Sequence, residues 1–338
     1  MATLNTVHKG SVAFSGSDTS KTDSWSGTKD NAILFISFSQ LGASPSQVCI
    51  RGEITNDTTL TFTRSSSGTS VTVYWHVVEF SSGVDVQHGT FTTSINHGVL
   101  GGMQASITEV NPRQSFVVSS WSKGGSAFGS DDFAATKLVS RDRIGAAIYD
   151  SSTDMVVAYQ VVEYDACKVH QWKAPNIFTT TSESGSWSGK EANSMILGGF
   201  TAAIPDTTNL NEYMPTSKID SDSSFTSRRN SSGDVIFAFP QIVEFTDGTT
   251  VQRGTASFGT GDTVQSPTIS AVDDGKSLPI LGGHMQCSGL TSYTASDIAW
   301  GPCGFELDIP PLGTSLSITR VNALSSTAEA DWQVVEWL

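Results

Sequence analysis

The stretch Val77-Val78-Glu79-Phe80 returns as Val161-Val162-Glu163-Tyr164, Ile242-Val243-Glu244-Phe245 and Val334-Val335-Glu336-Trp337. Its glutamates stand 84, 81 and 92 residues apart. That period is too long for a propeller blade of about 40 to 45 residues and suits one small all-β sandwich per repeat. A second landmark keeps step, beginning at Ala32-Ile33-Leu34-Phe35, Ser115-Phe116-Val117-Val118, Ser194-Met195-Ile196-Leu197 and Leu278-Pro279-Ile280-Leu281, at spacings of 83, 79 and 84. Two landmarks with one period predict tandem β modules over 1–84, 85–168, 169–248 and 249–338.

The tetrad ends a strand whose two faces are both largely apolar. Val73, Trp75, Val77 and Glu79 share one face, and Tyr74, His76, Val78 and Phe80 the other. An exposed Tyr-Val-Phe row would be a costly patch, so the second face is expected to meet a loop, a neighbouring module or another subunit. Gln160, Gln241 and Gln333 take the place of His76 in the other modules, which favours a packed polar residue over a titrating one. Ahead of the tetrad lie Thr59–Arg64, Ser223–Arg228 and Ser315–Arg320, whose alternation reads as half-buried strands. Six or seven short antiparallel strands in two packed sheets are expected per module, with little helix. Modules one and three share Ser24-Trp25-Ser26-Gly27 and Ser186-Trp187-Ser188-Gly189, whereas modules two and four share Ser106–Val110 and Thr268–Val272. Val7–Phe14 opens the chain with the strand type that follows the first and third tetrads, at Val84–Phe91 and Thr249–Thr255. Serial modules are the preferred topology; pairing of the terminal strands, which would close the array, is the alternative.

The chain has 338 residues, 33 acidic against 19 basic, and a net charge of −14. This balance disfavours a nucleic-acid surface. No stretch approaches the roughly 20 apolar residues of a membrane span. The first residues lack the apolar core of a secretory signal, so export by that route is not expected. Cys287 and Cys303 share a module and are a candidate disulfide in an oxidising setting. The alternative is four reduced thiols, with Cys49 packed in a strand over Gln47–Arg51.

Glu79, Glu163, Glu244 and Glu336 are read as structural anchors, held by backbone or by basic groups, with Arg64, Arg228 and Arg320 as candidate partners. If Asp247-Gly248 is a two-residue hairpin turn, Glu244 lies diagonal to Arg253, and Glu79 likewise to His88. No second carboxylate recurs at a fixed offset to complete a glycosidase or calcium pair. GxSxG, HExxH, Walker, EF-hand and dinucleotide signatures are absent from the sequence. Trp25, Trp187, Tyr213 and Tyr293 are candidates to stack on a sugar or to contact a partner, with loop packing as the competing role.

The group Trp75–Phe80, Val86-Gln87-His88-Gly89, Gln241–Phe245 and Val251-Gln252-Arg253-Gly254 resembles the β-sandwich structural proteins of tailed-bacteriophage virions, a likeness that runs through the repeats over nearly the whole chain. It implies a component of the capsid, neck or tail surface, of decoration or accessory type, assembled in the bacterial cytoplasm. Its partners would be other virion proteins, copies of itself among them. Lacking a collagen-like tract or a long coiled coil, the chain is not expected to form a fibre shaft. No enzymatic activity, cofactor, metal or membrane insertion is expected. The runner-up is a host-adhesion protein binding a bacterial surface glycan, and a glycan-degrading enzyme stands third.

Overall fold

In the computed structural model the chain is all-β, a tandem array of modules each built from two small antiparallel sheets. The structure describes residues 2–40, 44–93, 103–126, 132–148, 155–171, 176–203, 214–233, 235–282, 289–291 and 304–338. Among these the α-helix is a single turn, Pro45–Val48. No described helix is long and apolar enough to cross a membrane.

In module one a glutamate strand, Val71–Ser82, is central: the lead strand Thr3–Phe14 pairs with one edge and the flank strand Ala32–Ser37 with the other. A second sheet places Thr59–Thr63 between Ser20–Ser24 and Arg51–Asn56. The plan repeats. Met155–Tyr164 lies between Val84–Thr93 and Ser115–Lys123. Val235–Phe245 lies between Ser194–Ala203 and the pair Cys167–Gln171 and Asn176–Phe178. Ala328–Glu336 lies between Thr250–Phe258 and the pair Ser277–Leu281 and Gly289–Thr291. Each of these modules has its own three-stranded second sheet.

Alternation along the glutamate strand divides its side chains between two cores. Val73, Trp75 and Val77 pack with Leu60 and Phe62 of module one, in a core that continues to Trp121 and Met155 of module two and Phe200 of module three. Val78 and Phe80 point the other way, into a core that also takes Val162 and Tyr164, Val243 and Phe245, and Val335 and Trp337. The second apolar face therefore meets the neighbouring modules. At the end of this shared core the last residues of the four tetrads form a closed square of edge-on rings. The centroids are 5.3 Å apart for Phe80–Tyr164, 5.5 Å for Tyr164–Phe245, 6.2 Å for Phe245–Trp337 and 5.9 Å for Trp337–Phe80. This edge-to-face geometry sets the positive rim of one ring against the negative face of the next. The modules thus close into a ring about a common axis.

Several expectations change. The terminal strands do not pair with each other, because both edges of each glutamate strand are already taken by strands of its own module. For the same reason Asp247-Gly248 is not a hairpin turn. Gly248 (φ 98°), like Gly83 (φ 75°), turns the chain out of one module's glutamate strand and into the lead strand of the next. The second landmark of module four starts at Ser277, which stands opposite Glu336 as Ala32 does opposite Glu79. The landmark therefore begins one residue before the Leu278 of the sequence reading. Cys49 caps the Pro45–Val48 turn rather than lying in a strand. Cys49 and Cys167 are buried free thiols, and Cys287 and Cys303 fall outside the described residues.

Candidate functional site: the seams of the ring

Each repeated glutamate meets a backbone N–H at the head of the turn that leads into its flank strand. Glu79 accepts from Thr28 N at 2.8 Å, Glu163 from Asn111 N at 2.8 Å, Glu244 from Lys190 N at 3.1 Å and Glu336 from Asp273 N at 2.8 Å. Glu79 also takes bonds from Asn5 Nδ2 at 2.8 Å and His8 Nε2 at 3.1 Å. Burial alone would raise its carboxyl, but the bonds from His8, Thr28 and Asn5 outweigh that and hold it below the ordinary value.

The arginines are elsewhere. Buried Arg64 lies over the Phe14 ring and donates to the carbonyls of Asp18, Ser15 and Thr69. Arg320 lies over Phe258 and donates to Asp262 and Gly259 carbonyls. Their counterpart in module three is Arg229, whose Nε donates to Thr180 O, rather than Arg228. The Arg-Arg pair concealed this one-residue shift. Arg228 instead reaches into module four, to both oxygens of Asp331 at 2.7 and 3.1 Å and to Glu329 at 2.6 Å.

Trp25 and Trp187 take the packing role rather than that of sugar or partner contacts: both are buried, with indole N–H groups donating to Asn56 O and Ser221 O. Each stands edge-on to a lead-strand histidine, His8 or His170, at 5.7 and 5.5 Å. A Cβ on Gly27 or Gly189 would collide with the tryptophan and crowd the adjacent glutamate, which explains the repeated Trp-Ser-Gly. Modules two and four have Gln87 and Gln252 at the histidine position. Each makes two bonds to the backbone of one residue, Thr108 at 2.7 and 3.0 Å and Ser270 at 2.6 and 3.0 Å. The alternation of Trp with His and Ile with Gln is therefore one structural choice made twice; the sequence showed the pairing of modules one with three and two with four, but not the lead-strand histidine or glutamine that goes with it. Tyr213 and Tyr293 lie outside the described residues.

The seams between modules use the position that follows. Gln160 bonds both N and O of Leu34 at 2.7 and 2.8 Å, Gln241 those of Val117 at 2.9 and 3.1 Å, and Gln333 those of Ile196 at 2.8 and 2.9 Å. The amide imitates a strand neighbour and satisfies two buried backbone groups of the preceding module. Opposite these residues on the lead strands, His88 reaches Lys29 O at 2.9 Å, Gln171 reaches Ser115 O at 2.8 Å, and Arg253 reaches Glu191 O at 2.6 Å. At the closing seam Lys9 plays this part, bonding Asp274 at 2.7 Å and Ile309 O at 3.2 Å. There His76 stands in for the glutamine, and Leu307 N bonds Ser37 Oγ at 3.2 Å. Burial pushes the His76 imidazole down to about 4, with Lys9 adding to that and Asp274 opposing it.

Two seams are open. The cleft between modules three and four has a volume of about 230 Å³ and includes Glu191, Lys218, Asp220, Arg253, Gly254 and Trp332. The cleft between modules one and two, about 200 Å³, places Lys29, Glu53, Thr55, His88, Gly89 and Tyr159 at the corresponding positions. No cluster of three or more metal-ligating side chains occurs among the described residues. A scan against protein-family models finds no match to this chain, and a search of curated proteins finds none either.

Proposed function

We propose that the chain is a non-enzymatic structural subunit of a bacteriophage virion, carried on the capsid, neck or tail surface and bound there to other virion proteins, copies of itself among them. One observation supports this reading best: the polar residues that the repeat preserves are engaged with the chain's own backbone. The four glutamates hold turns, and Gln160, Gln241 and Gln333 hold one module to the next. What is repeated therefore serves a rigid frame, and such a frame suits the display of variable loops. The net charge of −14 fits a subunit that stays dispersed before assembly and contacts protein rather than nucleic acid. Mass spectrometry and imaging of purified particles provide the test. A regular copy number at a fixed place on the particle is the expected result. Absence from particles, with cleavage of a bacterial polysaccharide by the purified chain, would overturn the reading.

A further inference from the structure

We propose that the ring opens at one seam, the one between modules four and one, while the other three stay latched and every module stays folded. At those three seams a glutamine bonds both N and O of a single flank-strand residue, Leu34, Val117 or Ile196. Each of these stands opposite the first residue of its own module's tetrad, Val77, Val161 or Ile242. In module four the residue opposite Val334 is Pro279. Proline has no N–H, so the paired bonds cannot form there, whichever residue module one presents. Module one presents His76, beside a cavity of about 10 Å³ between Phe35, Ser37, Pro279, Ile280 and Leu307. That space has room for about one water at most.

Other contacts hold the closing seam. Lys9 bonds Asp274 and Ile309 O and lies 3.6 Å from Asp308. Leu307 N donates to Ser37 Oγ at 3.2 Å and Val321 N to Ser39 Oγ at 2.8 Å, while the Glu306 carboxylate accepts from Ser39 N. The Lys9 side chain is 36 % exposed, and those of Asp274 and Asp308 are 31 % and 49 % exposed. Ion pairs so placed contribute little and weaken in salt. The two serine hydroxyls each receive one backbone N–H, whereas a glutamine latch satisfies a donor and an acceptor together.

Distance along the chain acts in the same direction. The three latches join residues 126, 124 and 137 positions apart, whereas Lys9 reaches partners 265 and 300 positions away. Longer loops cost more entropy to close, so this seam forms last and opens first. The clefts at the first and third seams are not breaks of this kind, for they lie beside Gln160 and Gln333, whose bonds are intact. Opening at the closing seam parts Phe80 from Trp337 in the square of rings and wets part of the shared core. The open form is therefore a minor state, reached by a fluctuation smaller than global unfolding.

The inference does not depend on the virion setting, and its failure would leave that reading standing. Hydrogen exchange of the intact chain at neutral pH, resolved to single amides by mass spectrometry, tests it. Corrected for intrinsic rates, Leu307 and Val321 N–H should exchange at least about tenfold faster than Leu34, Val117 and Ile196 N–H, the factor expected from the two bonds of one latch. His76→Gln with Pro279→Ile supplies both halves of the missing latch and should remove the difference. Lys9→Ala should widen it at Val321, a residue outside the bonds of Lys9, and leave Val117 and Ile196 unchanged. Equal protection at all five amides would overturn the proposal. So would fast exchange confined to Leu307, or a difference that neither variant alters, since both mark fraying of the short strand Glu306–Asp308 rather than an opening seam.

Discussion

Glu244 shows how one side chain serves several neighbours. Its carboxylate accepts from Lys190 N and lies 3.5 Å from Lys168 Nζ. Glu244→Gln keeps an acceptor but loses the charge, and we expect a loss of about 0.5 to 3 kcal/mol in thermal unfolding. An unchanged midpoint would remove the glutamate from the set of anchors. His76 gives a pH dependence of known sign. Its value falls from 6.5 in the unfolded chain to about 4 in the fold, so the unfolded state takes the proton first. The stability contributed by the neutral ring is complete above pH 6.5 and is lost as pH falls toward 4. His88 behaves alike. Replacing His76 with Gln, the residue at three of the four seams, should leave the fold intact and shrink the acid loss over that window. Urea titrations at pH 7 and pH 4.5 decide this; equal acid sensitivity in both proteins would exclude His76 as a source.

At the level of elements, the glutamate strand carries the design. One face packs over the second sheet of its own module and the other into the core common to all four, and the side-chain amides of Gln160, Gln241 and Gln333 join three of these strands to the flank strand next door. Gln333→Leu preserves size but strands Ile196 N–H and C=O in a buried seam. We expect it to cost about 2 to 4 kcal/mol in urea unfolding, more than an exposed polar substitution. A loss under half a kilocalorie would mean that water replaces the amide. The existence of this strand, its doubly covered faces and its polar seam position were all legible in the period-two pattern. Its strand partners were not. The turn at Asp247-Gly248 has hairpin composition, yet the following strand pairs with Ala328–Glu336, because a central strand has no free edge to offer.

For the whole molecule, the shared core draws residues from every module, from Val7 to Trp337. Repeat arrays whose units touch only their neighbours unfold stepwise, whereas a common core couples all units. We therefore expect one calorimetric transition, and two or more resolved peaks would argue that the modules fold alone. The sequence by itself determined the all-β class, the tandem modules and the alternation of paired types, since apolar period and repeated motifs are local properties of the chain. It also marked the row Tyr74, His76, Val78 and Phe80 as covered. Only the tertiary structure decided what covers it. A buried face specifies apolar contact without naming the surface that supplies it, and here that surface comes from residues as distant as Ile280 and Trp337. Ring closure and the two open clefts follow from how whole faces fit. Packing sets that fit after the strands have formed, and no short motif records it.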